Sequence, residues 1–308
     1  MSHSSNHRPI AIYGALGANV AIAVAKLLVA KVSGSSAIFS EGIHSLADTG
    51  NEVLLLVGLH LSRRPPDARH VYGHGKDLYF WSLVVAIVLF ALGGGMSLYE
   101  GVTQVLRPTV LRDPTWTFVV LAVAFMFEAV SLTIALRELK KAKPGESLWR
   151  AYRASRDPSV YMVVAEDSVA LLGILTAFIA VTLAHLTGIS RLDGVGSLTI
   201  GALLSVVAVL LAMESRTLLV GESASPALLE ELRALANADA AVCRVGQIMT
   251  MRLGPDEILL NVDLEFRSDL TMPELRSAIQ RIERAIRGAH AEVSRIFIEA
   301  SSLAKASR

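Results

Sequence analysis

Apolar residues run along this chain in six long blocks, at about residues 10–31, 36–62, 78–104, 115–139, 159–187 and 194–219, separated by short polar connections. Each block reaches the roughly 20 residues that an α-helix needs to cross the hydrocarbon core of a bilayer, so the pattern predicts six transmembrane helices. After residue 219 the pattern changes. Ser225-Pro226 supplies a cap and a start for a helix over Ala227–Ala238. Val242–Leu253 and Glu257–Phe266 alternate apolar and polar positions around Gly254-Pro255-Asp256, which predicts an antiparallel hairpin. An amphipathic helix follows from Leu270 through Arg287, then a strand over Glu292–Glu299. The order α-β-β-α-β is that of a small α+β domain.

Polar residues break the apolar blocks at a few places. In span two Glu41, His44, Asp48, Asn51 and Glu52 fall within a sector roughly 100° wide when each residue advances 100° round the helix. Charged groups in a bilayer-embedded helix cost about 2.5–3.5 kcal/mol each on insertion scales, so such a stripe faces a cavity, a partner or an ion. His44 and Asp48 stand four apart, a spacing that brings an imidazole nitrogen and a carboxylate oxygen to one side for a divalent ion. A polar helix–helix contact is the alternative use of the same stripe. Span four carries Glu128 with Ser131 one turn on, and span five carries Glu166-Asp167 after a start at Asp157-Pro158. Pairing span two with span five strengthens the ion-site reading. In span one Asn19 and Lys26 share a face, and Lys26 is expected to snorkel to the outer interface rather than form a buried ion pair. Gly93-Gly94-Gly95 in span three reads as a packing or flexing point. Asp193, Ser197 and Thr199 are placed at the outer end of span six, within reach of water.

Composition agrees with the membrane class. Of 308 residues 53% are hydrophobic and only 19% charged, with a mean hydropathy of +0.50; a soluble domain carries nearer a quarter charged residues. The formal net charge of +1 gives no reason to expect nucleic acid as a partner. One cysteine, Cys243, excludes an intrachain disulfide and is expected to be a small buried strand residue. Met1–Arg8 lacks the apolar core of a cleavable signal peptide. The connections after spans two and four hold eleven Lys and Arg, those after spans one, three and five hold four (Lys31, Arg107, Arg112, Arg191). By the positive-inside rule both termini lie in the cytoplasm. The expected layout is therefore a cytoplasmic N-terminal tail over 1–9, a six-helix transmembrane domain over 10–219, and a cytoplasmic α+β domain over 220–308. At that size the tail domain has a small core, so an oligomeric contact is expected.

The connection Asp67-Ala-Arg-His70-Val-Tyr-Gly-His74-Gly-Lys76 places one carboxylate and two imidazoles within eight residues, three ligands for a borderline metal. A solvated loop whose histidines cap the next span is the competing reading. Gly-x-Gly-Lys here is no phosphate loop, because the full glycine spacing and a preceding strand are missing.

Taken together, six spans, the His44/Asp48 pair, Asp167, the His70-x-Tyr72-Gly73-His74-Gly75-Lys76 loop and a small α/β tail resemble the cation diffusion facilitator family, over essentially the whole chain. The resemblance implies a homodimeric exporter of divalent transition metals, usually Zn²⁺, driven by proton antiport, with tails similar to ferredoxin-like metallochaperone folds. It implies no enzymatic activity and no catalytic cofactor. Its partners would be a second copy, the lipid bilayer, metal cations and protons, in a bacterial inner membrane. Carried over by position, the family's span-two pair falls on His44 and Asp48, and its span-five His-x-x-x-Asp pair on Val163 and Asp167, so one imidazole is absent. The family's loop site falls unchanged on Asp67, His70 and His74. Its histidine-rich tail sites have no counterpart beyond His290. The fourth ligand of the transport site stays open between Glu166, about 100° round the helix from Asp167, Glu41, one turn from His44, and water. One imidazole among carboxylates is a hard donor set, which admits Mn²⁺, Fe²⁺ or Co²⁺ beside Zn²⁺. Lys76 is assigned a charge contact, with Glu214 or Glu222 as its partner.

Three other classes fit less well. A membrane-embedded metallohydrolase would need a nucleophile or further general base paired to the same ligands, and the sequence offers none. A metal sensor built on the tail conflicts with its poverty in ligands. A channel is separated from a carrier by voltage-driven rather than saturable, proton-coupled flux.

Overall fold

The structure, a computed structural model, describes residues 9–109, 113–142, 145, 147, 148, 152 and 158–300. Arg112, Lys143, Arg150, Arg153 and Arg156 of the loop-charge argument, Asp157 and the segment Met1–Arg8 lie outside the described residues. Two compact units are distinguished: residues up to Leu59 together with Phe80–Ser215, and His60–Tyr79 together with the chain from Arg216. The loop carrying Asp67, His70 and His74 thus belongs with the tail rather than with the helices that flank it in sequence.

The first unit is built from long helices: α1 (Pro9–Ser33), α2 (Ser36–Ser62), α3 (Asp77–Leu106), α4 (Thr115–Ala142), α5 (Pro158–Thr187) and α6 (Arg191–Val220). Four of them, α3 to α6, are long and apolar enough to cross a membrane. Side chains such as Phe125, Met126, Phe127, Val206 and Met213 are exposed on these helices, the signature of surfaces meant for lipid rather than water. α2 is interrupted by its polar stripe, and most of that stripe is buried: Glu41, His44 and Asn51 are each at most 1% exposed.

Within α3 the glycine triplet sits in a π-helical turn, Leu89–Gly95. Four glycines bring α3 and α6 together in antiparallel fashion. A methyl group at Gly101 would lie 2.7 Å from the backbone nitrogen of Leu198, and one at Gly201 would lie 2.7 Å from that of Leu98. Gly94 faces Ser205, and Gly194 faces the Val105 backbone. Absence of a side chain at these positions lets the two backbones touch, as small residues do between membrane helices generally.

Asp193, at the start of α6, is wholly buried, contrary to the expectation that water reaches it. It accepts hydrogen bonds from Ser35 Oγ (2.5 Å), the Ser36 backbone N–H (2.5 Å) and Ser36 Oγ (2.9 Å). The first turn of a helix has N–H groups without intrahelical partners, and Asp193 caps α2 from another helix. Ser197 is buried as well, sharing a hydrogen bond with Ser40; Thr199 faces outward.

The tail contains α7 (Pro226–Asn237), β1 (Val242–Gly254), β2 (Glu257–Phe266), α8 (Met272–Ala289) and β3 (Val293–Ala300). Ser225 caps α7 through the Leu228 N–H, and α8 opens on a Thr271/Glu274 capping box. The sheet order is β1-β2-β3, with β1–β2 antiparallel and β2–β3 parallel. Alternate residues of β2 (Ile258, Leu260, Val262, Leu264, Phe266) are buried, the last four in one core with Leu232, Ala278, Ile282 and Ile286 of the two helices. Cys243 is exposed, not buried. The strand register shifts between Val242 and Arg244, and such an irregularity upsets the alternation that pattern reading relies on.

Candidate metal centre

α2 and α5 deliver carboxylates to one cavity of about 340 Å³ inside the helical unit. Its polar lining is Asn19 of α1, Ser45, Asp48 and Glu52 of α2, Glu128 and Ser131 of α4, and Glu166 and Asp167 of α5. Val163 also lines it, one turn before Asp167, where a second imidazole would stand. His44 Nδ1 lies 3.3 Å from Asp48 Oδ1. That contact follows from their i,i+4 spacing on α2. Both His44 ring nitrogens lack a well-formed hydrogen bond, as do Asp48 Oδ1 and Asp167 Oδ2. Buried polar atoms left in this state are unusual in folded proteins. Asp167 takes a hydrogen bond from Ser131.

The two candidates for a fourth ligand are placed differently. Glu166 is buried on the cavity wall and accepts from Asn51 Nδ2 at 3.0 Å. Glu41 does not line the cavity; its Oε2 accepts from Lys26 Nζ at 3.1 Å, and both side chains are fully buried. Lys26 therefore does not snorkel. Its ammonium finds Glu41 and Ser45 Oγ (2.8 Å) within the bundle, and a charge that is paired inside has no reason to reach the interface. Asn19, on the same face of α1, donates to Glu52 Oε1 at 2.7 Å.

The sequence places these residues on the right helices but misses the cross-helix partners of Asn19, Lys26 and Asp193. Their spacing within each helix was the available signal. The choice of partner depends on helix rotation, which spacing does not carry.

The ligand atoms of His44, Asp48 and Asp167 do not form a set lying within 4.8 Å of one another. Among the described residues, Asp67, His70 and His74 are the group that does. Asp67 Oδ1 is 3.2 Å from His70 Nδ1, Asp67 Oδ2 is 3.2 Å from His74 Nε2, and the two rings are 4.3 Å apart. The loop is shaped by its backbone. Asp67 Oδ1 accepts from the N–H groups of His70 (2.6 Å) and Arg69 (2.8 Å), and Gly73 turns the chain at φ +89°, which favours glycine. Those backbone donors, His70 first, hold the Asp67 carboxyl well below the usual carboxylate range. His74 Nδ1 faces Asp77 Oδ2 at 3.3 Å, the outer hydrogen bond that commonly orients a ligating imidazole. Lys76 Nζ lies 3.7 Å from Met251 Sδ.

Comparison with known proteins gives one match to a family model, the cation efflux transmembrane domain, over residues 12–220. A protein of Xenopus laevis named as the mitochondrial proton-coupled zinc antiporter SLC30A9 is 34% identical over 243 residues, 78% of this chain and 44% of that protein. The human protein of the same name is 32% identical over 82% of this chain and 46% of its own length. The chain thus spans less than half the length of these relatives. The manganese efflux system protein MneP of Bacillus subtilis is 25% identical over 92% of each chain.

Proposed function

Since the chain belongs to the cation efflux family, we propose that it is a proton-coupled antiporter that exports divalent transition-metal ions, with Zn²⁺ as the principal cargo. The observation that carries this reading is the shared cavity: Asp48 on α2 and Asp167 on α5 open into it together, with His44 against Asp48. Metal and protons compete for the same lone pairs on these groups, which makes binding pH-dependent and couples the two fluxes.

In this mechanism α1 to α6 all cross the membrane, both termini and the tail are cytoplasmic, and the cargo enters between α2 and α5. His44, Asp48 and Asp167 release protons as they take the ion. The helices then rock, bringing the donor atoms of the two helices closer during occlusion and apart on release, where protons return. Glu166, on the cavity wall, completes the ligand set. Asp67, His70 and His74 hold a second ion that stiffens the cytoplasmic loop, Lys76 makes a charge contact beside it, and the tails pair in a homodimer. The membrane is a bacterial inner membrane; the vertebrate relatives are named as mitochondrial.

A second reading is favoured by the donor chemistry. One imidazole among several carboxylates is a set that suits Mn²⁺, and a relative covering 92% of this chain is named for manganese efflux. Flux driven by a pH gradient in proteoliposomes, with Zn²⁺, Cd²⁺, Mn²⁺, Fe²⁺ and Co²⁺ in competition, separates the two. In the same assay Asp48→Ala and Asp167→Ala abolish transport; normal flux in both would discard the site.

A further inference from the structure

The helix α1 engages the acidic stripe of α2 at both ends. Lys26 holds Glu41 and Ser45, and two turns away Asn19 holds Glu52. His44 and Asp48 lie between these two clamps. Glu41 and Glu52 of the stripe are thus held by α1, and Asp48, between them, opens into the cavity.

Glu41 is chemically equipped to be more than a structural acid. It stands one helical turn from His44 on the same face, and its second oxygen, Oε1, is buried without a hydrogen-bond partner. Gly173 of α5 faces that oxygen, and any side chain there would collide with it. Room is therefore kept for the carboxylate on the α5 side, two turns from Asp167. The other oxygen, Oε2, is held by the Lys26 ammonium at 3.1 Å.

We propose that Lys26 is a positioning residue that withholds Glu41 from the transported ion, and so sets the charge of the ligand set and the affinity for divalent metal. With Glu166 completing the set, His44, Asp48, Asp167 and Glu166 contribute three negative charges, already one more than a divalent ion brings. Adding Glu41 would bring a fourth negative charge and hold the ion more tightly, at the expense of its release. With Lys26 in place, the Lys26–Glu41 pair adds no net charge.

This inference rests on the transport-site reading above, and the test keeps the two apart. Zinc flux is measured in proteoliposomes for Lys26→Met, Glu41→Gln, Lys26→Met/Glu41→Gln, Lys26→Arg and, as a control, Asp48→Ala. Lys26→Met frees Glu41, so the KM for Zn²⁺ falls by roughly five- to tenfold and the maximal rate falls with it, as expected for an added charge at close range. Glu41→Gln leaves an uncompensated ammonium beside the cavity and raises KM by a similar factor. The double variant returns KM to within about twofold of wild type because both charges are gone. Lys26→Arg, which keeps the pair, behaves as wild type. A KM that stays at the wild-type value in Glu41→Gln overturns the proposal, and that variant decides alone if Lys26→Met does not fold. Loss of transport in the double variant also overturns it, since Glu41 would then be a ligand in the native protein. Normal flux in Asp48→Ala would instead remove the transport site itself, whatever the Lys26 variants do.

Discussion

Asn51 on α2 donates its amide hydrogen to the carboxylate of Glu166 on α5 across 3.0 Å, with both side chains buried. This contact joins the two helices that carry the proposed ligands, and it fixes the rotation of α5 at the residue next to Asp167. Removing it therefore affects stability and ligand placement together. Asn51→Ala is expected to destabilise the helical unit by roughly 1 kcal/mol, the usual worth of an interhelical hydrogen bond in a membrane protein, and to raise the KM for Zn²⁺. Thermal unfolding in nanodiscs and flux in proteoliposomes measure the two effects separately. Glu166→Gln keeps an acceptor for Asn51 but loses the charge. If Glu166 completes the ligand set, its KM rises about tenfold while stability is unchanged; an unchanged KM would give the fourth position to water.

The glycines between α3 and α6 allow a sharper comparison. Gly101→Ala puts a methyl group 2.7 Å from the Leu198 backbone nitrogen, whereas Gly95→Ala meets nothing nearer than the Phe90 carbonyl at 3.5 Å. Backbone cannot step aside as a flexible side chain can. Gly101→Ala should cost about 1–3 kcal/mol through overpacking. Gly95→Ala should be neutral or slightly stabilising, because alanine favours a helix over glycine by roughly 1 kcal/mol. Equal melting temperatures for the two variants would show that the α3–α6 approach is looser than described.

How far these features can be read from the sequence depends on the kind of information each needs. Periodicity depends only on near neighbours in the chain, and it yields the long apolar helices and the α-β-β-α-β order of the tail, including the Ser225 cap. Contacts between helices need rotation and depth as well. Lys26 is read wrongly for that reason: a lysine in an apolar helix snorkels only if no carboxylate waits inside, and Glu41 lies fifteen residues away on another helix. Asp193 is 157 residues from the serine whose N–H it caps. The α3–α6 zipper did leave a trace, since Gly94 and Gly101 are spaced by seven and so are Gly194 and Gly201, the spacing of residues on one helical face. The clustering of Asp67, His70 and His74 was legible because they are close in sequence and need only a turn to meet.

That loop can be tested without disturbing its shape. Asp67 has two tasks: Oδ1 accepts the backbone N–H groups of Arg69 and His70, and the charged carboxylate faces both imidazoles. Asp67→Asn retains an oxygen for the backbone and removes the charge. It is expected to preserve the loop and weaken its Zn²⁺ affinity by at least about tenfold, while Asp67→Ala loses both tasks. Isothermal titration with Zn²⁺ in an Asp48→Ala background, which isolates the loop, reads the affinity. Undiminished binding by Asp67→Asn would show that the two histidines suffice.

The pH dependence of the tail follows from Asp239, just after α7, and Arg281 on α8. Arg281 Nε and a terminal guanidinium nitrogen donate to the two Asp239 oxygens at 2.8 and 2.9 Å, and this fork, with the Ala241 N–H, holds the Asp239 carboxyl below its ordinary value. A depressed value in the folded state means that the unfolded chain takes up a proton first as the solution is acidified. The contribution is therefore complete above the unfolded carboxylate value, about 3.9, and is lost as pH falls through the folded one. Arg281 is half exposed, so solvent and salt weaken the pair, and roughly 0.5–1 kcal/mol is the expected size at neutral pH. Asp239→Asn should lower the urea midpoint of a fragment spanning residues 216–308 by that amount at pH 7. The difference from wild type should shrink steadily as the pH is taken below 3.9, and raising the salt at pH 7 should shrink it too. A gap that widened on acidification would mean that some other carboxylate, not this fork, governs the acid limb of the tail.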